Sequence, residues 1–170
     1  MIDAVAAKLA AQIKKTVPDH PRSESVLAFS ILFLLNTTLI IVLSLIISFF
    51  TGRIWETIEV LISFGVLRQI SGGYHFKSGT LCVLVSTIGV TILSFSAFGM
   101  QTTIVMNLIS VALVLVYSPS RLEGTRIPVR YYPLLKMLSF LIVCSNFIFQ
   151  SPVLAASFLV QSLSLIRKRW

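Results

Sequence analysis

From Val26 to Phe50 the chain runs for 25 residues without a charge. Wound as a helix at ~1.5 Å per residue, such a segment is about 37 Å long, enough to cross a hydrocarbon core of ~30 Å with some tilt. In lipid no water satisfies the backbone, so a spanning segment must close its hydrogen bonds internally. That requirement narrows the fold to helices in a membrane. Asn36, Thr37 and Thr38, near the middle of the run, are expected to face other helices.

Further apolar runs follow. Ile54 to Leu67 carries Glu56 and Glu59 near its start; then come Thr80 to Phe98, Thr103 to Tyr117, Leu134 to Phe149 and Pro152 to Ile166. The last two read as a tight hairpin turning at Gln150-Ser151-Pro152. Of the 170 residues 56% are hydrophobic and 12% charged, where soluble domains are about 25% charged. The expected fold class is all-α: a polytopic membrane protein of about six transmembrane helices. The second run is short and acidic at its start, so a re-entrant segment is the alternative there.

Ahead of the spans, Ile2, Val5, Leu9 and Ile13 recur at three- and four-residue steps, with Lys8, Lys14 and Lys15 largely elsewhere around the helix. The pattern predicts an amphipathic helix on the membrane surface, with a polar helix packed on the protein as the equal alternative. Pro18 and Pro21 end it. The division expected is 1–25, the amphipathic cytoplasmic helix, and 26–170, the six-span transmembrane domain. No small-residue cleavage site follows an apolar run, so the first span is expected to remain as a helix.

Charge orients the spans. With six of them, the N-terminus, loop 68–79, loop 118–133 and the C-terminal Arg167-Lys168-Arg169 share one side. That side holds thirteen of the fourteen Lys and Arg residues, Lys136 included as a snorkelling residue, and leaves Arg53 alone opposite. The positive-inside rule makes the crowded side cytoplasmic, with both termini there. The formal charge of +8 is gathered in short loops. No basic stripe interleaved with aromatics points to nucleic acid, and none is expected as a partner.

The residues with chemistry lie on that same side. Gly72-Gly73-Tyr74-His75 precedes Cys82 by seven residues, and Arg68 lies seven residues before His75. Histidine can take the proton of a thiol, and the thiolate is the nucleophile. Arg68, His75 and Cys82 would share one stripe of a continuous helix. The flexible glycine pair allows instead a re-entrant loop that folds His75 back towards Cys82. Cys82 is expected in the first turn of its span, where the helix dipole acts. One histidine and one cysteine do not complete a metal shell, so no metal and no cofactor is expected. Cys144 reads as a packing residue.

The spacing of Arg68, Gly72-Gly73-Tyr74-His75 and Cys82 between apolar spans resembles the AgrB (accessory gene regulator protein B) family of bacterial quorum-sensing peptidases. The likeness extends to length, hydropathy and the basic N-terminus. It implies a cysteine endopeptidase with Cys82 as nucleophile, His75 as its base and Arg68, Gly72 and Gly73 in support. The implied partner is an AgrD-like precursor peptide with an amphipathic leader, a short central segment and an acidic tail. The implied product is a cyclic thiolactone or lactone. Membrane lipids surround such a protein, and a homodimer fits the family's habit.

Arg121, Arg126, Arg130 and Lys136 face the compartment of the dyad and are candidates to draw in an acidic tail; the alternative is that they only set topology. Glu123 as an orienting group for His75, and Gln69 or Ser71 as oxyanion donors, carry no support from spacing. Two rival functions remain: a small membrane transporter subunit, suited by Asn36, Asn107 and Asn146, and a non-catalytic peptide-binding membrane scaffold.

Overall fold

A computed structural model describes residues 2–19, 21–73, 78–120 and 128–166. Among them the structure is helical throughout: α1 (Ile2–Thr16), α2 (Glu24–Thr51), α3 (Ile54–Ser71), α4 (Gly79–Ser94), α5 (Met100–Tyr117), α6 (Tyr132–Phe149) and α7 (Pro152–Ser164). A single 3-10 turn, Val129–Tyr131, leads into α6. The expected all-α class holds.

By length and composition three helices suffice to cross a membrane: α2, α5, and α6 with its leading turn. α3 has 18 residues but carries Glu56, Glu59 and Arg68. The remaining two apolar helices are shorter, with 16 residues in α4 and 13 in α7. α4 stops short of the expected Phe98. Ser94 Oγ bonds back to the Thr91 carbonyl at 2.7 Å. Phe95 and Ser96 then donate to carbonyls only three residues back, which tightens the last turn and ends it.

The described chain forms two compact units. The first holds α1, α2 and α4 as far as Gly89. Here α1 packs on α2 and buries Ala6 and Ala10, one helical turn apart, because small side chains let backbones approach. Val5, Leu9 and Ile13, most of the apolar stripe read from the sequence, stay exposed. The helix therefore packs on the protein and still presents an apolar face outward.

The second unit holds α3, α4 from Val90, and α5 to α7. Its core is Leu67, Val114, Val143, Phe158 and Leu165, with a smaller cluster of Val60, Val90 and Val153. Buried polar groups pair across helices: Ser63 with Ser157 at 2.8 Å, and Asn146 Nδ2 donating to Asn107 Oδ1 at 3.0 Å. Large apolar side chains point out instead, Trp55 being 80% and Ile148 82% exposed. Small and polar groups inside with bulky hydrocarbon outside is the arrangement a lipid solvent favours.

The hairpin between α6 and α7 turns where expected. Gln150 takes a left-handed conformation (φ 53°), and Ser151 caps α7 by accepting the Leu154 N–H at 3.2 Å. Asn146 seals the turn, accepting the Ser151 N–H at 2.9 Å and donating to its carbonyl at 3.0 Å. Asn107 and Asn146 are thus engaged in packing, which removes two of the three polar residues that suited a transporter.

Candidate functional site

The Gly-Gly segment is built by the end of α3. Gly72 lies at φ 77°, ψ −146°, backbone space open essentially to glycine alone, so the helix stops at Ser71 with the Gly72 N–H donating to Arg68 O at 2.9 Å. Gly73 follows at φ 130°, and a Cβ there would sit 2.6 Å from Ser164 Oγ. The continuous helix from Arg68 to Cys82 is therefore excluded. So is flexibility as the reason for the glycines: they are needed for shape and close approach.

Backbone pairing holds this segment from one side. Gly73 N–H donates to Ser120 O at 3.2 Å and Ser120 N–H to Ser71 O at 2.9 Å, an isolated parallel bridge. From the other side comes Gln161 of α7, fully buried. Its Nε2 donates to Gly72 O at 2.7 Å and to Ser71 Oγ at 3.2 Å, while its Oε1 accepts from Ser164 Oγ at 3.2 Å. Ser71 Oγ in turn donates to Leu67 O at 2.6 Å, so this hydroxyl is committed to structure rather than free as an oxyanion donor.

Sequence reading missed Gln161, Ser120 and Ser164. One signal was available for the first. A glutamine inside the apolar run of α7 must find partners or face a large burial cost.

Cys82 occupies the first turn of α4, as expected. Ser78 caps that helix: its Oγ accepts the Leu81 N–H at 3.4 Å and its carbonyl the Cys82 N–H at 3.0 Å. Gly79 N–H donates to Asp3 Oδ1 of α1 at 3.1 Å, a carboxylate at the positive end of the helix. Gly79 also lets α4 start close to α2, since a Cβ there would be 2.8 Å from Leu32 Cδ1. The Cys82 thiol is free and half-buried. The buried stripe of α4 runs through Val83, Thr87, Val90 and Ser94, and Cys82 lies beside it.

Three of the other candidates sit on other elements. Arg68, in the last turn of α3, lies with its guanidinium 5.8 Å from the Phe64 ring centre. Arg130 stacks on Tyr131 at 4.8 Å and donates to its hydroxyl at 3.0 Å. Lys136 is half-buried in α6. His75, Arg121, Arg126 and Glu123 lie outside the described residues. Among the described residues no three His, Cys, Asp or Glu gather as metal ligands.

Comparison with known proteins bears on the whole chain. The family model described as AgrB, accessory gene regulator B, matches residues 6–166. An AgrB-like protein of Halalkalibacterium halodurans is 29% identical over 98 residues, which cover 58% of this chain and 50% of that protein. The matched stretch thus spans about half the length of that curated relative. No solved structure matches. With its family model matched over residues 6–166, the chain belongs to the accessory gene regulator B (AgrB) family.

Proposed function

We propose that this chain is a membrane cysteine endopeptidase that removes the C-terminal tail of an AgrD-like precursor and supports cyclisation of the remainder. Family membership ties the chain to the accessory gene regulator system. The observation that carries the finer reading is a free, half-buried Cys82 in a capped first helical turn, seven residues after the histidine that follows the glycine pair.

The chemistry is acyl transfer. His75 takes the Cys82 proton, and the thiolate attacks the carbonyl at the junction between peptide and tail. The tail nitrogen leaves with the proton from His75, and the peptide remains as an acyl-thioester on Cys82. A cysteine thiol or serine hydroxyl within the peptide then gives its proton to His75 and attacks that thioester, closing a thiolactone or lactone ring and releasing the Cys82 thiolate. Thioester exchange is nearly isoenergetic, so the reaction needs no nucleotide, provided that water is excluded and the tail is removed.

The wider reading completes this picture. Six spans put His75 and Cys82 at the cytoplasmic face, where a newly made peptide arrives, and α1 lays its Val5, Leu9 and Ile13 face on lipid. Domain 1–25 is then the surface helix and 26–170 the peptidase. Arg121, Arg126, Arg130 and Lys136 attract an acidic tail from that side.

The deciding experiment is Cys82→Ser in reconstituted protein given a precursor with an amphipathic leader, a central cysteine and an acidic tail. Cleavage should be lost with insertion unchanged. In the native chain mass spectrometry should find the peptide as a thioester on Cys82. Retained cleavage in Cys82→Ser sinks the reading. Reporter fusions at Gly99 and Gln150 that both score cytoplasmic would sink the six-span topology.

A further inference from the structure

Asn36 stands near the middle of the uncharged run of α2, where an amide carries a large desolvation cost unless it is hydrogen-bonded. Its Oδ1 is buried and has no hydrogen-bond partner among the described residues. The same is true of Thr80 Oγ1, in the first turn of α4. Elsewhere the chain meets such groups, as the Ser63–Ser157 and Asn107–Asn146 pairs show. Two unmet buried oxygens at one place therefore call for an account.

Gly79 brings them together. It precedes Thr80, and its lack of a side chain makes room for the Asn36 amide: a Cβ there would be 3.1 Å from Oδ1 and 3.2 Å from Nδ2. Three donors at this helix start are already taken. Gly79 N–H goes to Asp3 Oδ1, Leu81 N–H to Ser78 Oγ and Cys82 N–H to Ser78 O. None of the three is left for Asn36.

Cys82 follows Gly79 by three residues on the same helix, and side chains at that spacing are neighbours, about 5–6 Å apart at Cβ. Added to the 3.1 Å between Asn36 Oδ1 and the Gly79 Cβ position, this puts the Cys82 Cβ within about 9 Å of the unmet oxygen. An extended peptide advances ~3.3 Å per residue, so the gap is about two or three residues of substrate.

We propose that Asn36 and Thr80 hold the backbone of the precursor beside the Cys82 thiol. Asn36 Oδ1 accepts an N–H of the extended peptide, and Thr80 Oγ1 donates to one of its carbonyls. The inference rests on the Cys82 acyl-transfer reading above. Main-chain hydrogen bonds give affinity without reading side chains, and they keep the carbonyl in line with the thiol. A bound peptide would also meet the two oxygens that the chain leaves unmet.

The test uses the full chain in lipid nanodiscs and a precursor with an amphipathic leader, a central cysteine and an acidic tail. Asn36→Leu and Thr80→Val each remove one polar group and keep the bulk. Each should lower kcat/KM for cleavage about fivefold, the worth of one hydrogen bond. Neither should lower the thermal midpoint, because the atom removed had no partner within the chain. N-ethylmaleimide labelling of Cys82 should be unchanged, since the thiol itself is untouched. In a second arm, ester linkages replace single backbone amides within three residues of the scissile bond, which itself stays an amide. One such position should cost the native chain about fivefold and cost Asn36→Leu nothing further.

Cleavage retained in Cys82→Ser overturns the underlying reading. Cleavage lost in Cys82→Ser but normal in both Asn36→Leu and Thr80→Val leaves that reading standing and rejects backbone holding. A fall in cleavage matched by a lower thermal midpoint also rejects it, because the two residues are then structural. An ester scan with no position coupled to Asn36 rejects the Asn36 contact. Should Asn36→Leu fail to insert, Asn36→Ala, which only removes atoms, decides by the same criteria.

Discussion

The side-chain amide of Gln161 donates to the carbonyl of Gly72 at 2.7 Å, across 89 residues of sequence. That contact makes the glycine pair before His75 a fixed stem with one shape. It also changes what substitutions there are expected to do.

Gly73→Ala should be costly. The residue sits at φ 130° and its Cβ would collide with Ser164 Oγ, so both strain and overlap act. A loss of about 1–3 kcal/mol is expected from the backbone alone. Thermal unfolding in detergent should register it, together with a fall in precursor cleavage. Adding Ser164→Ala should recover only the part due to overlap. Gly65→Ala, in α3 with nothing within 4 Å of its Cβ position, serves as the control that should not destabilise.

Asp3 ties α1 to the helix that carries Cys82 through its 3.1 Å contact with the Gly79 N–H. Removing such a cap costs about 0.5–2 kcal/mol locally. Asp3→Ala should therefore speed hydrogen exchange at the amides of residues 79–82 several-fold, while the helix beyond Val83 keeps its protection. Unchanged exchange at Gly79 would mean that the carboxylate does not cap α4.

Asn107 and Asn146 form a buried amide pair, and Asn146 also closes the α6–α7 turn. Asn146→Ala removes three hydrogen bonds, one with Asn107 and two with Ser151, and should destabilise by about 1–3 kcal/mol, whereas bonds of this kind in membrane proteins average only ~0.6 kcal/mol each. The double variant with Asn107→Ala should cost less than the sum of the singles. Precursor processing at permissive temperature should survive, since the pair is structural. Its loss in well-folded protein would return these residues to a transport or substrate path.

Tail capture by the basic loop has its own signature. Arg126→Gln with Arg130→Gln should weaken cleavage of a precursor with an acidic tail, raising KM several-fold at low salt, and spare one with a neutral tail. High salt should erase the difference. Equal effects on both peptides would leave these arginines as determinants of topology only.

Much of this protein was legible locally. The uncharged run at Val26–Phe50, the hairpin at Gln150-Ser151-Pro152 and the start of the Cys82 helix, expected at Thr80 and found at Gly79, all follow from neighbours in sequence. Hydropathy, turn residues and caps act over a few bonds. That α1 is a helix was legible too, but not its packing: Ala6 and Ala10, rather than the larger apolar residues, are buried beside α2.

What the sequence by itself determined is a helical membrane protein of one family, carrying a histidine and a cysteine at a telling spacing. What only the tertiary structure decided is how the stem before that histidine is held. Glycine read alone suggests freedom. Here Ser120, Gln161 and Ser164, none near it in sequence, leave it none. The physical reason is that buried polar groups must be satisfied, and the chain shows which residues have that need without showing which will meet it.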